Sequence, residues 1–407
     1  MKLSIPKIEK NEQVFFLAYI IFLVFSLLMH SLYYQWFMNY YRYIIGGCIM
    51  ILLLQEVARG ALSFRSLMGA VVLFFLAFLL VLKGSGNLQT SFACVFVFAF
   101  GARDISFNKI GRVTIWVTLA IVFFVILSSM LGIIENHHVL QSGGARSRYF
   151  LGFRYALNPP AMLLNVILLY VYVRREECTY REIMAWMIFA WILYYYTDSR
   201  LTFGLSILGL CIAVYCKRHK EDMGKFDKLS KLLIPVFPLC FLVSFWFARS
   251  YSSGISWMWK LDTILGGRLR YAHASMTTYG LSLFGNGNIK WVGAGLNPYG
   301  QQSTETYFYV DNMYVQILQR YGVVFMALFL ILATLVMAQC YKKKEYLLVV
   351  LFAIIAMHGL IDDGILYLQM NTFWLLFGSA AFGYLKSRET KQIEEEKTQG
   401  QFKLEKI

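Results

Sequence analysis

The chain is poor in charge and proline, and its cysteines are scattered. Of 407 residues, 23 are Asp or Glu and six are Pro, and charged residues of both signs make up only 15%. Soluble proteins carry about 25% charged residues, so a soluble domain with a single anchor is excluded. The seven cysteines form no C-x-x-C pair, and none falls in a predicted outer loop. The sequence therefore supports neither a disulfide framework nor a zinc site.

Apolar residues make up 58% of the chain, and its mean hydropathy is +0.56. Apolar runs long enough to cross a bilayer as helices recur along most of the sequence. They predict an all-α polytopic membrane protein with about twelve transmembrane helices, within a range of roughly ten to thirteen. Residues 1–386 form one integral membrane domain in this interpretation, and 387–407 form a polar cytoplasmic tail. The predicted spans are 14–32, 43–57, 66–83, 88–102, 113–134, 157–173, 183–198, 201–216, 232–248, 313–340, 346–362 and 366–385.

Positive charge sets the predicted orientation. With both termini in the cytoplasm, 26 of the 38 Lys and Arg residues lie inside, as the positive-inside rule requires. This topology leaves a medium outer loop at about 135–156 and a large one at about 249–312. The net charge of +15 is explained by these inner loops, so the sequence gives no reason to expect nucleic acid as a partner.

The outer face prefers arginine to lysine. It carries nine Arg and three Lys, whereas the inner segments carry nine Arg and 17 Lys. A planar guanidinium can bind phosphate or carboxylate through two parallel hydrogen bonds, which an ammonium cannot. We therefore expect the outer face to bind an anion. An alternative is that these arginines pair locally with Asp198 or Asp311.

Two short outer motifs carry candidate arginines. In "GGRLRYAH" the glycine pair predicts the start of a helix, on which Arg268 and Arg270 point about 200° apart. Arg268 is the one expected to face a site, where the first amides of the helix would also favour a phosphate. A solvated helix start is the alternative. In "TDSR", Arg200 either faces a site or pairs with Asp198 in a polar hairpin.

The motif "ETYFYVDNMYVQILQRYG" leads from the large loop into a long span. Asp311 and Asn312 lie at the predicted membrane entrance, and Arg320 lies two or three turns further in, where a buried arginine usually faces a cavity or a partner. Asp311 is either a general base or the N-cap of the helix. Glu305 is the next carboxylate along this segment.

A third motif, "HGLIDDG", ends a predicted span on the outer side. His358, Asp362 and Asp363 are either site residues or a polar turn, and the turn is favoured. No further metal ligands occur in register with them, so neither a metal nor another cofactor is predicted.

These features together resemble the Wzy-type polysaccharide polymerases, which share a superfamily with the O-antigen ligases. The resemblance covers about residues 113–385 and rests on "RYFLGFRYALNPP", "GGR", "FGNG" and "DNMYVQILQRYG". It implies transfer of a glycan from a polyprenyl-diphosphate carrier, with inversion and without metal, at the outer face of the bacterial cytoplasmic membrane. The implied substrate is an undecaprenyl-diphosphate-linked oligosaccharide for capsule, exopolysaccharide or O-antigen. A flippase and a chain-length regulator would be partners in that pathway.

The resemblance also implies roles for individual residues. Family arginines of the two outer loops bind the diphosphate, and Arg148 or Arg154 and Arg268 match them. The polymerases often have His-Pro-Asn after "GF", whereas here Asn158 is displaced, so both loop arginines remain candidates. The ligases usually carry His-Asn at the membrane entrance, where this chain has Asp-Asn. This departure favours a polymerase and makes Asp311 the candidate base.

Two other functions remain as alternatives: an O-antigen-ligase-like transferase and a transporter or flippase of lipid-linked oligosaccharides. Transporters usually place charges near the bilayer midplane and contain paired repeats, neither of which the sequence shows. The predicted catalytic residues are Asp311 and Arg268, the predicted diphosphate ligands are Arg148, Arg154, Arg268 and Arg320, and the secondary candidates are Arg200, Arg270, Glu305, Asn312 and His358.

Overall fold

The computed structural model describes residues 4, 6–59, 64–82, 87–141, 146–219 and 225–382. The protein is mostly helical, at 70%, as predicted. A two-stranded antiparallel hairpin of β1 (His138–Gln141) and β2 (Arg146–Tyr149) is the sheet of the described residues. The α-helices are α1 Gln13–Leu28, α2 Tyr41–Arg59, α3 Phe64–Leu82, α4 Asn87–Gly101, α5 Phe107–Met130, α6 Asn158–Arg174, α7 Tyr180–Thr197, α8 Arg200–Arg218, α9 Lys225–Leu233, α10 Val236–Ser250, α11 Ser256–Ile264, α12 Arg268–Tyr279, α13 Met313–Lys342, α14 Tyr346–His358 and α15 Leu376–Phe382.

Several helices are long and apolar enough to cross a membrane. Within the described residues there are four, or five if α9 and α10, which meet at 47°, form one bent span. Shorter apolar helical stretches are Gln13–Leu28 of α1, Leu67–Leu80 of α3, Phe92–Gly101 of α4 and Tyr346–His358 of α14. The expectation of a helical protein with membrane-crossing helices is therefore confirmed, but the number of about twelve is not. The four are Tyr41–Ala58, Phe107–Met130, Arg200–Arg218 and Met313–Lys342.

Helix α13 is not the continuous span that the sequence predicts. Gly322 breaks it, with φ 92° and ψ 175°, values that belong to glycine. The backbone groups released by the break bind the segment at about 249–312, which the sequence predicts as the large outer loop and which is called here the large outer segment. Val323 and Val324 donate to the carbonyls of Ser282 and Leu283 in this segment, both at 3.1 Å. The break therefore joins the outer segment to the helix.

The same junction requires a second glycine. Gly285, at φ 85°, lies so close to α13 that a Cβ atom built on it would be 2.0 Å from the carbonyl oxygen of Arg320. Next to it, the amide of Asn286 donates to the carbonyl of Gln319 at 2.9 Å. The "FGNG" turn is thus a close backbone contact between outer segment and helix.

The last predicted span, 366–385, is also interrupted where it is described. Two short 3-10 helices, Gly364–Leu366 and Thr372–Leu375, precede α15. Asn165 of α6 fixes the second of them, since its side chain both donates to Thr372 Oγ1 at 3.0 Å and accepts from the Thr372 amide at 3.1 Å. The predicted tail, 387–407, lies outside the described residues.

Trp374 anchors this region in the apolar core. It is fully buried, with its ring centroid 5.4 Å from that of Phe329 and 5.6 Å from that of Phe352. Its indole N–H donates to the carbonyl of Ile365 at 2.6 Å, so the polar atom of the ring is satisfied inside the core.

Backbone hydrogen bonds tie the segment at about 135–156, predicted as the first outer loop and called here the first outer segment, to the end of α1, and tie the large outer segment to the first. The amide of Arg154 donates to the carbonyl of His30 at 2.8 Å, and the carbonyl of Arg154 accepts from the Leu296 amide at 2.7 Å. Within the large segment, Val292 and Phe308 exchange hydrogen bonds as an isolated bridge. This arrangement brings residues that are far apart in sequence to one side of the helices.

Candidate functional site

A cavity of about 280 Å³ lies between the outer segments and the ends of α1 and α14. Its lining comes from residues just after α1, the approach to α6, the start of α12, the large outer segment and the turn after α14. The charged residues that line it are Arg154, Arg268, Asp311, Asp362 and Asp363. Three predicted residues, Arg154, Arg268 and Asp311, thus meet in one place.

Arg268 is the first residue of α12, directly after the left-handed Gly267 at φ 87°. Its guanidinium is held by two backbone carbonyls: Nε donates to Ile361 at 2.9 Å and Nη1 to Leu265 at 2.8 Å. Nε also lies 3.8 Å from Asp311 Oδ2. The side chain is therefore fixed in direction, and its Nη2 donates to no acceptor among the described residues, so this group can donate to a ligand.

Two amides at the start of α12 already have an acceptor within the chain. Asp262 Oδ1 accepts from the amides of Leu269 and Arg270 at 2.9 and 3.1 Å. The expectation of a phosphate at this helix terminus is therefore wrong, because a buried carboxylate of the chain already occupies it. Arg270 points outward with 60% of its side chain exposed, so the predicted divergence of Arg268 and Arg270 is confirmed.

Of the two candidate arginines in the first outer loop, Arg154 lines the cavity. Its Nε donates to the carbonyl of Leu296 at 3.0 Å and its Nη1 to that of Met29 at 3.2 Å. Burial is the main cause that lowers its pKa below the ordinary value. Arg148 is outside the lining, and its Nη2 donates to the backbone carbonyl of Asp198 at 3.5 Å.

Asp311 is not the N-cap of α13, which is the alternative that the sequence leaves open to its role as a base. Asn312 caps α13 by accepting from the Val315 amide at 3.0 Å. Asp311 instead accepts from the Tyr307 hydroxyl at 3.1 Å and faces Arg268. Burial, followed by the charge of Asp362, raises the pKa of Asp311 against the opposing effect of Arg268. A carboxylate in this setting is a stronger base than an exposed one.

The turn after α14 contributes more to the cavity than the sequence suggested. Asp362 accepts from the Gly364 amide at 2.7 Å, as in a polar turn, and its Oδ2 lies 3.1 Å from His358 Nε2. Burial opposes its charge, but His358 and the Gly364 amide outweigh burial and lower the pKa of Asp362. Asp363 accepts from the Tyr309 hydroxyl at 2.7 Å. Both carboxyls line the cavity, so the turn after α14 is also part of the candidate site.

The other predicted residues lie outside the lining. The Cζ of Arg320 is 4.5 Å from the ring centroid of Trp291. Arg200 is 64% exposed and lies 3.2 Å from Asp198, as the local-pair alternative proposed. Glu305 is exposed on the outer segment. Asn312 has a capping role, and His358 reaches the cavity only through its contact with Asp362.

Sequence reasoning missed the tyrosines. Tyr307 and Tyr309 line the cavity together with Asp311, while Val310, between Tyr309 and Asp311, is fully buried. The alternating pattern "YFYVD" was the available signal, because alternate residues of an extended segment point to the same side. Tyr155 and Tyr367 also line the cavity.

The cavity thus combines two fixed guanidinium groups with three carboxyls, which suits the binding of an anion next to a proton acceptor. Comparisons of the chain with protein-family models, curated proteins and solved structures found no match. Among the described residues, no group of three or more His, Cys, Asp or Glu is placed to hold a metal ion. The absence of a cofactor remains a prediction.

Proposed function

We propose that the protein polymerises oligosaccharide repeat units carried on a polyprenyl diphosphate, by inverting glycosyl transfer. The observation that carries this proposal is the convergence of Arg154, Arg268 and Asp311 in one cavity. The three residues come from separate segments, and the sequence predicts the two arginines as diphosphate ligands and Asp311 as the base. An anion site next to a carboxylate is the minimum that such a transfer requires.

The proposed chemistry uses the three residues as follows. The bond between the anomeric carbon and the diphosphate breaks, and the diphosphate leaves with the bonding electrons. Arg154 and Arg268, held in direction by backbone carbonyls, stabilise the charge that develops on it. Asp311 takes the proton of the acceptor sugar hydroxyl as that oxygen bonds to the anomeric carbon from the opposite face.

The decisive experiment is Asp311→Asn in the full-length protein. The amide fills the same space and can still accept from Tyr307, but it cannot take a proton. We expect a normal protein level, polymer formation reduced roughly 10²–10⁴-fold, and accumulation of lipid-linked single units. Gel analysis of glycan length and mass analysis of the lipid-linked pool measure both.

Glu305→Gln is the matched control, because it neutralises an exposed carboxylate of the same outer segment. It should leave glycan length unchanged. A near-normal amount of polymer from Asp311→Asn would reject the base role. Equal losses of polymer from both variants would show that the cavity carboxylate matters no more than an exposed one.

We further propose that the site faces the outside of the bacterial cytoplasmic membrane and that both termini are cytoplasmic, as the charge distribution favours. Cysteine placed at Ser253 should react with an impermeant thiol reagent in intact cells, whereas cysteine at Lys228 should not. Both positions are exposed in the structure. Labelling of the unsubstituted protein measures the background that comes from its exposed Cys211. The opposite labelling pattern would show that the orientation in the membrane is the reverse of the one proposed.

A second candidate is transport of the lipid-linked oligosaccharide. The break of α13 at Gly322 and the 47° bend between α9 and α10 favour it, because interrupted helices are common at transporter sites. The location of the accumulated single units separates the two. A defective polymerase leaves them at the outer face, where an impermeant sugar-oxidising reagent reaches them, and a defective transporter leaves them inside.

A further inference from the structure

The three carboxyls of the cavity have unequal partners. Asp362 is next to His358 and accepts from a backbone amide. Asp311 lies 3.8 Å from the guanidinium of Arg268. Asp363, of which only 7% is exposed, accepts its hydrogen bond from a neutral group, the hydroxyl of Tyr309 at 2.7 Å. Asp363 is therefore the carboxyl whose direct contact does least to stabilise a charge.

The surroundings of Asp363 disfavour its ionisation further. Its neighbours Asp311 and Asp362 are of the same charge, and Tyr309 and Tyr367 are neutral. The opposing group is Arg320, whose guanidinium stacks on Trp291. Burying a charge is costly unless it is paired, and like charges that share a site retain a proton. Burial, followed by Asp311 and Asp362, raises the pKa of Asp363 to about 8.

We propose that Asp363 is held as a neutral carboxylic acid that allows the cavity to bind a diphosphate, and that its ionisation weakens that binding. With Asp363 neutral, Arg154 and Arg268 balance Asp311 and Asp362, and the cavity accepts an anion without an excess of negative charge on its wall. Its carboxyl also gains a hydrogen-bond donor. The diphosphate part of this inference rests on the proposed function, whereas the location of the proton does not.

Infrared spectroscopy locates the proton without any substrate. A carboxylic-acid carbonyl band should persist in the purified protein at about pH 7, where ordinary carboxyls are ionised, and should disappear near pH 8 as Asp363 titrates. Asp363→Asn should lack this band. Asp311→Asn should keep it but lose it at a lower pH, because the charge of Asp311 raises the pKa of Asp363. Glu305→Gln, an exposed control, should match the unsubstituted protein.

Two results would overturn the location of the proton. One is the absence of any acid band at neutral pH. The other is a band that survives in Asp363→Asn and is lost in Asp311→Asn, which would assign the proton to Asp311.

Binding of farnesyl diphosphate, measured by calorimetry in detergent, tests the consequence. Its affinity should fall about tenfold between roughly pH 7 and pH 9 in the unsubstituted protein, within the usual range of coupling between two sites. Asp363→Asn should lose most of this dependence, and it controls for ionisation of the probe itself. An equal fall in both proteins would refute the coupling. If the probe fails to bind at every pH, the diphosphate site fails with it, and the infrared result still stands on its own.

Discussion

Two arginine–aspartate pairs in different regions of this molecule show what distinguishes a site from a surface contact. Arg200 and Asp198 lie 3.2 Å apart at the turn between α7 and α8, with 64% of the arginine side chain exposed. Arg268 and Asp311 lie 3.8 Å apart in the cavity, and there the arginine is 27% exposed. The closer pair is the more solvated one. Separation alone therefore does not distinguish the pair in the candidate site from the pair at the surface.

The cavity pair differs in how it is held. Arg268 is fixed by two backbone carbonyls, and Asp311 by the Tyr307 hydroxyl. The Arg200 side chain has its partner two residues away in the same turn. Exposed pairs are screened by water and contribute little, whereas donors fixed in a partly buried cavity act on a bound charge with little reorganisation. Burial and convergence from distant segments mark the site.

The largest effect is expected from a substitution that breaks the Arg268–Asp311 pair of the cavity. Arg268→Lys should reduce polymer formation by about 10²–10³-fold, the usual loss when a fixed donor to a developing charge is removed. Lysine cannot reproduce both backbone contacts while it faces the ligand. Arg270→Lys is the matched control two residues away on the exposed face, and it should retain most activity. Glycan length on gels measures both, and equal damage would contradict the assignment of the two faces.

Gly285→Ala should disturb the region of the cavity and leave the surface pair intact. A Cβ atom at Gly285 would meet the Arg320 carbonyl at 2.0 Å, and its φ of 85° adds strain. We expect a loss of more than about 1 kcal/mol in the free energy of unfolding, seen as a lower melting temperature in detergent. Gly254→Ala, whose nearest neighbour would be 3.6 Å away, should melt like the unsubstituted protein. An unchanged melting temperature of Gly285→Ala would show that the contact between α13 and the large outer segment accommodates the added Cβ atom at little cost.

Melting temperatures measured at several pH values compare a carboxyl of the cavity, Asp363, with an exposed one, Glu305. The pKa of Asp363 is raised from 3.8 to about 8 in the folded protein. Between these values the folded state holds a proton that the unfolded state has lost, so this group lowers stability as pH rises, until the effect is complete above about 8. Asp363→Asn cannot ionise, and its melting temperature relative to the unsubstituted protein should rise between about pH 5 and about pH 9. Glu305→Gln should show no such trend, and a flat difference for Asp363→Asn would contradict the raised pKa.

The smallest effect is expected at the exposed pair. Arg200→Lys keeps the charge next to Asp198, so stability should change by less than about 1 kcal/mol and glycan length should not change. Melting temperature and gel analysis check both. A loss of activity comparable to that of Arg268→Lys would erase the distinction between the two regions and restore Arg200 as a site residue.

The sequence by itself determined the local features of this protein. Its apolar runs predicted helices, and the glycine pair before Arg268 predicted where α12 begins. The separation of Arg268 from Arg270 followed from the rotation of about 100° per residue along a helix. These features depend on neighbours a few residues away, and the backbone geometry converts such spacing into direction.

Only the tertiary structure decided which residues meet. Whether Asp311 or Asn312 caps α13, whether "IDDG" faces solvent or a cavity, and whether Arg148 or Arg154 lines it could not be read from spacing. The answers depend on contacts between separate segments: Arg268 and Asp311 are 43 residues apart, Tyr309 and Asp363 are 54 apart, and Arg154 and Leu296 are 142 apart. The raised pKa of Asp363 has the same origin, since burial and the charge of Asp311 exist only after packing. The break in α13 arises likewise, because its released backbone groups find their partners in the outer segment.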